Sequence, residues 1–157
     1  MRRLFGKAIP ALAITTIAAF GADNSLGTWK LNLEKSTYSP GPIPVKSLTT
    51  TREAVDGRVK VTTTGQRTDG TAINTSYTTQ YDGKSSSVPG TGAPYDTILI
   101  KKVNANKFTD KRKNMGGSYD ATGVTVISNG GRTMTWTSKG TDSEDREFKA
   151  TFVYEKQ

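Results

Sequence analysis

Apolar and polar residues alternate with a period of two in the stretches that frame the chain. In GTWKLNLE at 27–34, Trp29, Leu31 and Leu33 alternate with Thr28, Lys30, Asn32 and Glu34, the pattern of a strand with one buried face. Near the other end Phe148, Ala150, Phe152 and Tyr154 alternate with Lys149, Thr151, Val153 and Glu155. No segment carries the spacing of an amphipathic helix. Turn dipeptides punctuate the pattern at a 13-residue spacing: Asp56-Gly57, Asp69-Gly70 and Asp82-Gly83, then Gly116-Gly117, Asn129-Gly130 and Asp142-Ser143. Asp-Gly and Asn-Gly suit two-residue hairpin loops, because both central positions need positive φ. The period therefore predicts one long strand plus one tight turn, repeated, with strands at 27–34, 46–55, 58–68, 71–81, 84–89, 95–103, 107–115, 118–128, 132–139 and 146–155.

Hairpin arithmetic assigns the faces. A two-residue Asp56-Gly57 loop sets Ala54 opposite Val59 and Arg52 opposite Val61, placing Leu48, Thr50, Arg52, Ala54, Val59, Val61 and Thr63 on one face. The same loop at Asp69-Gly70 would put Ile73 and Tyr77 on the wrong face, which predicts a β-bulge near Gly65. A three-residue loop at 129–131 would set Val126 against Met134 and Val124 against Trp136, all inward. Ten consecutive antiparallel strands in an open sheet would leave two exposed edges, and closure removes both. The expected fold is therefore all-β, a single up-and-down antiparallel β-barrel of 8–10 strands. Its interior would be partly polar, which is how a ligand cavity reads in sequence.

Composition narrows the chemistry. Thr supplies 23 of the residues from 22 to 157, and a β-branched hydroxyl residue suits a half-wet sheet. The chain contains no Cys and no His, which removes thiol chemistry, the commonest metal ligand and the commonest general base. Residues 1–21, MRRLFGKAIPALAITTIAAFG, join Arg2, Arg3 and Lys7 to an apolar run and a small-x-small end, the pattern of a cleaved export signal. The Arg2-Arg3 pair with Phe5 resembles a twin-arginine signal, with Gly6 where an apolar residue is usual. The run is too short to span a bilayer, so no stable membrane anchor is expected. The reading is one domain at 22–157, monomeric and periplasmic or extracellular. The net charge of +8 falls to +5 without the basic residues of the signal, an ordinary solubility charge.

The two end motifs together resemble known proteins. GTWKLNLE at 27–34 resembles the first strand of the calycins, both the Gly-x-Trp of lipocalins and the Gly-Thr-Trp-Lys of intracellular fatty-acid-binding proteins. TFVYEKQ at 151–157 resembles the final strand of the latter group. The chain is also similar to uncharacterised exported bacterial lipocalin-like proteins, through GTWKLN…KS.YSPGP and SKGTD. The resemblance implies a calycin barrel. It also implies that Trp29 closes one end beneath a basic side chain, Lys156 or Lys149. Fatty-acid-binding proteins hold a carboxylate with Arg-x-Tyr on the last strand, and the matching positions here are Phe152 and Tyr154, so the Tyr is kept and the Arg is not. Their helical lid is replaced by STYSPGPIPVKS, whose prolines exclude a helix.

Several residues are candidates for lining a ligand. Trp136, Tyr77, Tyr81, Phe152 and Tyr154 combine apolar bodies, most with a polar tip, and Arg52 would be the best anion partner in the barrel. Trp29 is assigned to barrel closure. Asp56, Asp69 and Asp82 are turn residues. KRK at 111–113 reads as a solvated strand end, with no aromatics nearby for stacking on nucleic acid except Phe108 and Tyr119. No catalytic residue, metal site or cofactor is expected, and an enzymatic role would need a carboxylate inside the barrel. The leading expectation is a binder of a small hydrophobic or amphipathic ligand. The alternative is a structural or interaction module of the envelope with a side-chain-filled barrel.

Overall fold

The structure, a computed structural model, describes residues 22–157, so the expected export signal at 1–21 lies outside the described residues. One sheet holds eleven strands: β1 (Gly27–Ser39), β2 (Val45–Val55), β3 (Arg58–Arg67), β4 (Ala72–Thr79), β5 (Asp82–Ser87), β6 (Gly90–Thr91), β7 (Thr97–Asn104), β8 (Lys107–Lys113), β9 (Asp120–Ser128), β10 (Thr133–Thr141) and β11 (Glu147–Lys156). Their order is β5-β7-β8-β9-β10-β11-β1-β2-β3-β4-β6, antiparallel throughout. First and last strands meet, with Trp29 opposite Lys156 and Leu31 opposite Tyr154.

The remaining seam, between β4 and β5, is bridged by a segment that changes partner. β5 pairs with β7 as far as Ser87 opposite Thr97, and the Val88 amide still donates to Asp96. The Pro89 carbonyl then accepts from the Ser76 amide, and β6 pairs with β4 through Gly90 and Thr91. Gly90 has φ +126, and a Cβ there would collide with the Asn74 carbonyl. The fold is thus the expected all-β, up-and-down barrel, with eleven strands rather than ten because VPGTGAP supplies β6 instead of a plain loop. Among the described residues the only helical element is one 3₁₀ turn at Asn129–Gly131.

Register follows expectation where the loop is a two-residue hairpin and departs where it is not. Val55 pairs with Arg58 around Asp56-Gly57, and Arg52 faces Val61. At Asp69-Gly70 the loop has three residues, closed by the Arg67 amide on the Thr71 carbonyl. Ile73 therefore opposes Gly65 and Tyr77 opposes Val61 with no bulge between β3 and β4. The bulge lies instead on β2, between Val45 and Ser47. At 129–132 the loop has four residues, so Met134 pairs with Ile127 and Trp136 with Thr125. Val124 and Val126 consequently face outward, Val126 at 40% exposure, and Ala121, Gly123, Thr125 and Ile127 face in. Asp82-Gly83 is not a tight turn but begins β5, where the register shifts between Asp82 and Ser85. On β1 the register shifts between Asn32 and Thr37. The Ser36 hydroxyl stabilises that irregularity, donating to the Asn32 carbonyl at 2.6 Å and accepting from the Val153 amide at 3.0 Å. It turns Leu33 outward and brings Tyr38 inward against Phe148.

One end of the barrel is shut. Trp29 is fully buried, its indole N–H donating to the Ser25 carbonyl at 2.8 Å and the Lys156 ammonium lying 5.2 Å from its ring. Lys156, not Lys149, is thus the covering cation. Residues 22–26 run across this end, the Asn24 amide donating to Ala105 and its side chain to Asn106. Ser25 contacts the Tyr81 hydroxyl at 3.2 Å, and the Tyr81 ring packs on Phe108.

Candidate ligand-binding site

Five loops at the other end surround an opening: 40–44, 68–71, 92–96, 114–119 and 142–146. A cavity of about 370 Å³ descends from it to Arg52. Cross-strand pairing orders its floor into rows. Arg52, Val61 and Tyr77 form the deepest, and Thr50, Thr63 and Thr75 form the next toward the mouth. The Thr50 and Thr63 hydroxyls are 3.1 Å apart. Facing these rows, β9 to β11 contribute Thr125, Met134, Trp136, Phe152 and Tyr154.

The structure therefore brings Arg52, Tyr77, Trp136, Phe152 and Tyr154 around one cavity. Tyr81 is buried outside that lining, in the closed end with Trp29 and Phe108. Arg52 is 7% exposed, and its Nε and Nη1 have no hydrogen-bond partner. Burial opposes its charge, while the Tyr81 and Tyr77 hydroxyls act in the other direction and the net shift is upward. The guanidinium stays protonated.

A second arginine inside the barrel has the opposite environment. Phe108, Asp110 and Arg112 share the inward face of β8, so KRK is not wholly a solvated strand end: Lys111 and Lys113 are exposed and Arg112 is turned in. Arg112 Nε donates to Asp110 Oδ1 at 2.8 Å, and the guanidinium lies 4.1 Å from the centre of the Trp136 ring and 5.1 Å from that of Tyr95. Asp110 Oδ2 accepts from the Trp136 indole N–H at 3.0 Å. A Cβ at position 123 would collide with that indole nitrogen and stand 2.8 Å from Asp110 Oδ2, so Gly123 makes the room in which they meet. The pair is a neutral unit stacked on an aromatic wall.

Asp110, Tyr38 and Tyr95 are not among the candidates read from the sequence, where Arg112 reads as part of a solvated strand end. Tyr38 stacks on Phe148 at 5.3 Å, Phe148 contacts Tyr119 at 5.8 Å, and Tyr119 contacts Tyr95 at 6.0 Å. The signal that could have found Asp110 and Arg112 is their period-two spacing from Phe108. At the rim, burial pushes Asp142 up, but the amides of Arg146 and Glu144 and the Arg146 guanidinium outweigh it and hold Asp142 below the usual carboxylate range.

Burial also raises Tyr77, Tyr119 and Tyr154 above the ordinary tyrosine value. Unfolded tyrosines lose protons from about pH 10 while these folded ones keep theirs, so the native state holds more protons and stability falls as pH rises. The stabilisation is fully present below about pH 10, and each tyrosine removes up to about 1.4 kcal/mol per pH unit above it. Melting temperature is expected to drop steeply above that pH, with tyrosinate absorbance rising together with unfolding. Tyrosinate formation complete before unfolding would contradict the burial.

No family model matches the chain, and no curated protein matches it. Among solved structures, the chain is similar to EF1p2_mFAP2b bound to DFHBI, with TM-score 0.50 and 10% identity over 85% of this chain and 94% of that one. It is also similar to a redesigned β-barrel, mFAP1, bound to DFHBI, with TM-score 0.44 and 14% identity over 85% and 95%. The first likeness supports the barrel fold.

Proposed function

We propose that this barrel is an exported, non-catalytic binder of a small, partly apolar molecule held in its lumen. The observation that carries the reading is the open cavity of about 370 Å³ between the loop-lined mouth and Arg52. It exceeds the roughly 300 Å³ low end of small-molecule pockets, and its mixture of aromatic walls with a few polar groups is the usual composition of such sites. A side-chain-filled barrel acting only through its surface would leave no such space. The motifs shared with calycins support the same reading, as does the neighbouring barrel that is described as bound to DFHBI. Export rests on the signal-like residues 1–21.

The way the polar groups are engaged supports a role without catalysis. Each Asp110 oxygen already accepts a hydrogen bond, one from Arg112 and one from Trp136. Burial keeps Tyr77 and Tyr154 protonated, so neither serves as a base near neutral pH. Titration with a neutral, environment-sensitive apolar dye tests the binding, alongside native mass spectrometry of protein purified from its source before and after organic extraction. Dye uptake that Thr63→Phe blocks is expected. Protein that carries no small molecule and takes up no dye would refute the reading.

A further inference from the structure

We infer that Arg52 selects the ligand's charge: the lumen takes a singly charged organic anion, with its anionic oxygens on the unpartnered guanidinium nitrogens at the floor and its apolar body against Met134, Trp136 and Phe152. This deepens the binding reading above and rests on it. A buried guanidinium is costly to desolvate unless its N–H groups find acceptors, and at Nε and Nη1 the fold provides none. Arg52 holds no turn, strand end or ion pair. The Tyr81 hydroxyl interacts with the guanidinium from the closed end, but it leaves Nε and Nη1 without an acceptor, so arginine here keeps a capacity to bind something else that an apolar side chain would lack.

The charges around the cavity point to one negative charge rather than two. Arg112 is neutralised by Asp110, and at the rim Arg146 contacts Asp142 and Glu144, each at 3.0 Å. The cavity's own carboxylates, Asp142 and Glu144, are therefore engaged at the mouth. Arg67, also at the rim, donates to the Gly92 carbonyl. Deep in the lumen a single positive charge is left uncompensated, next to the hydroxyls of Thr50 and Thr63. An anion reaching it exchanges water for charge-assisted hydrogen bonds, which are stronger than neutral ones. A cation placed there would meet repulsion with no acid to offset it.

Three compounds with one body test this: naphthaleneacetate, naphthaleneethanol and naphthaleneethylamine, each competed against the neutral dye on the full chain. The acid is expected to bind at least about tenfold more tightly than the alcohol, equivalent to about 1.4 kcal/mol, with the amine weakest. Arg52→Met is expected to abolish the difference between acid and alcohol, with a β-sheet circular dichroism signal like that of the wild type showing the barrel intact. Arg52→Lys should retain part of the preference, and Arg67→Gln and Arg146→Gln should leave it in place. An acid bound no better than the alcohol by a barrel that takes up dye would overturn the charge selection and leave the binding reading standing. A preference that survives Arg52→Met, or disappears with the rim variants, would overturn it as well. A barrel that binds neither dye nor any of the three would refute both.

Discussion

Trp29→Ala is expected to destabilise the protein by about 4 kcal/mol, as removal of a large core aromatic does. Trp29 is fully buried, and three elements converge on it: the Ser25 carbonyl from the N-terminal segment, the Thr50 pairing from β2 and the Lys156 ammonium from β11. Its loss opens a cavity and leaves a buried carbonyl without its donor. Against a total of about 5–15 kcal/mol for a typical domain, that is a large share. Urea denaturation checks it: the midpoint should fall with little change in slope. Trp29→Phe should lose less, because it keeps most of the packing and forfeits only the N–H bond. Lys156→Ala should cost about 0.5–1 kcal/mol, the size of an exposed cation–π contact. A Trp29→Ala midpoint equal to that of the wild type would show that the closed end is held elsewhere.

Asp110→Asn is expected to cost about 3 kcal/mol despite its small change in shape. Removing one partner of a buried ion pair leaves the other charge uncompensated, which typically costs about 3–5 kcal/mol. The Arg112 side chain is 18% exposed, so the lower end applies. The double substitution Asp110→Asn with Arg112→Met should recover much of the loss, because it removes the stranded charge too. A double variant no more stable than Asp110→Asn alone would show that the Trp136 bond, not the ion pair, is what the carboxylate supplies.

What could be read in the sequence depended on the loops. The two-residue hairpin at Asp56-Gly57 has one register, and so the inward face of Arg52 could be derived from spacing alone. At 129–132 the loop has four residues, one more than the three-residue loop that would turn Val124 and Val126 inward, so both face outward and Thr125 faces in. With a period of two, a single residue inverts a whole strand. Leu33 failed for a related reason, since an irregularity sealed by the Ser36 hydroxyl interrupts the alternation of β1. Asp110 and Arg112 were hidden because each alone reads as surface. Only their mutual bond, in a space opened by Gly123 on the neighbouring strand, makes an inward charge affordable. Tyr81 was a candidate for lining the ligand, and its place in the closed end instead depends on Ser25, which no spacing rule connects to it.

The pairing of β1 with β11 also sets a timetable. Trp29 and Leu31 are synthesised long before Lys156 and Tyr154, the residues that lie opposite them. Until translation has passed them, the first strand has only β2 on one side, and its edge is open to other chains. Contacts between such distant parts of a chain make for slow folding. Truncation within β11 would therefore leave a sheet that cannot close rather than a slightly shorter barrel.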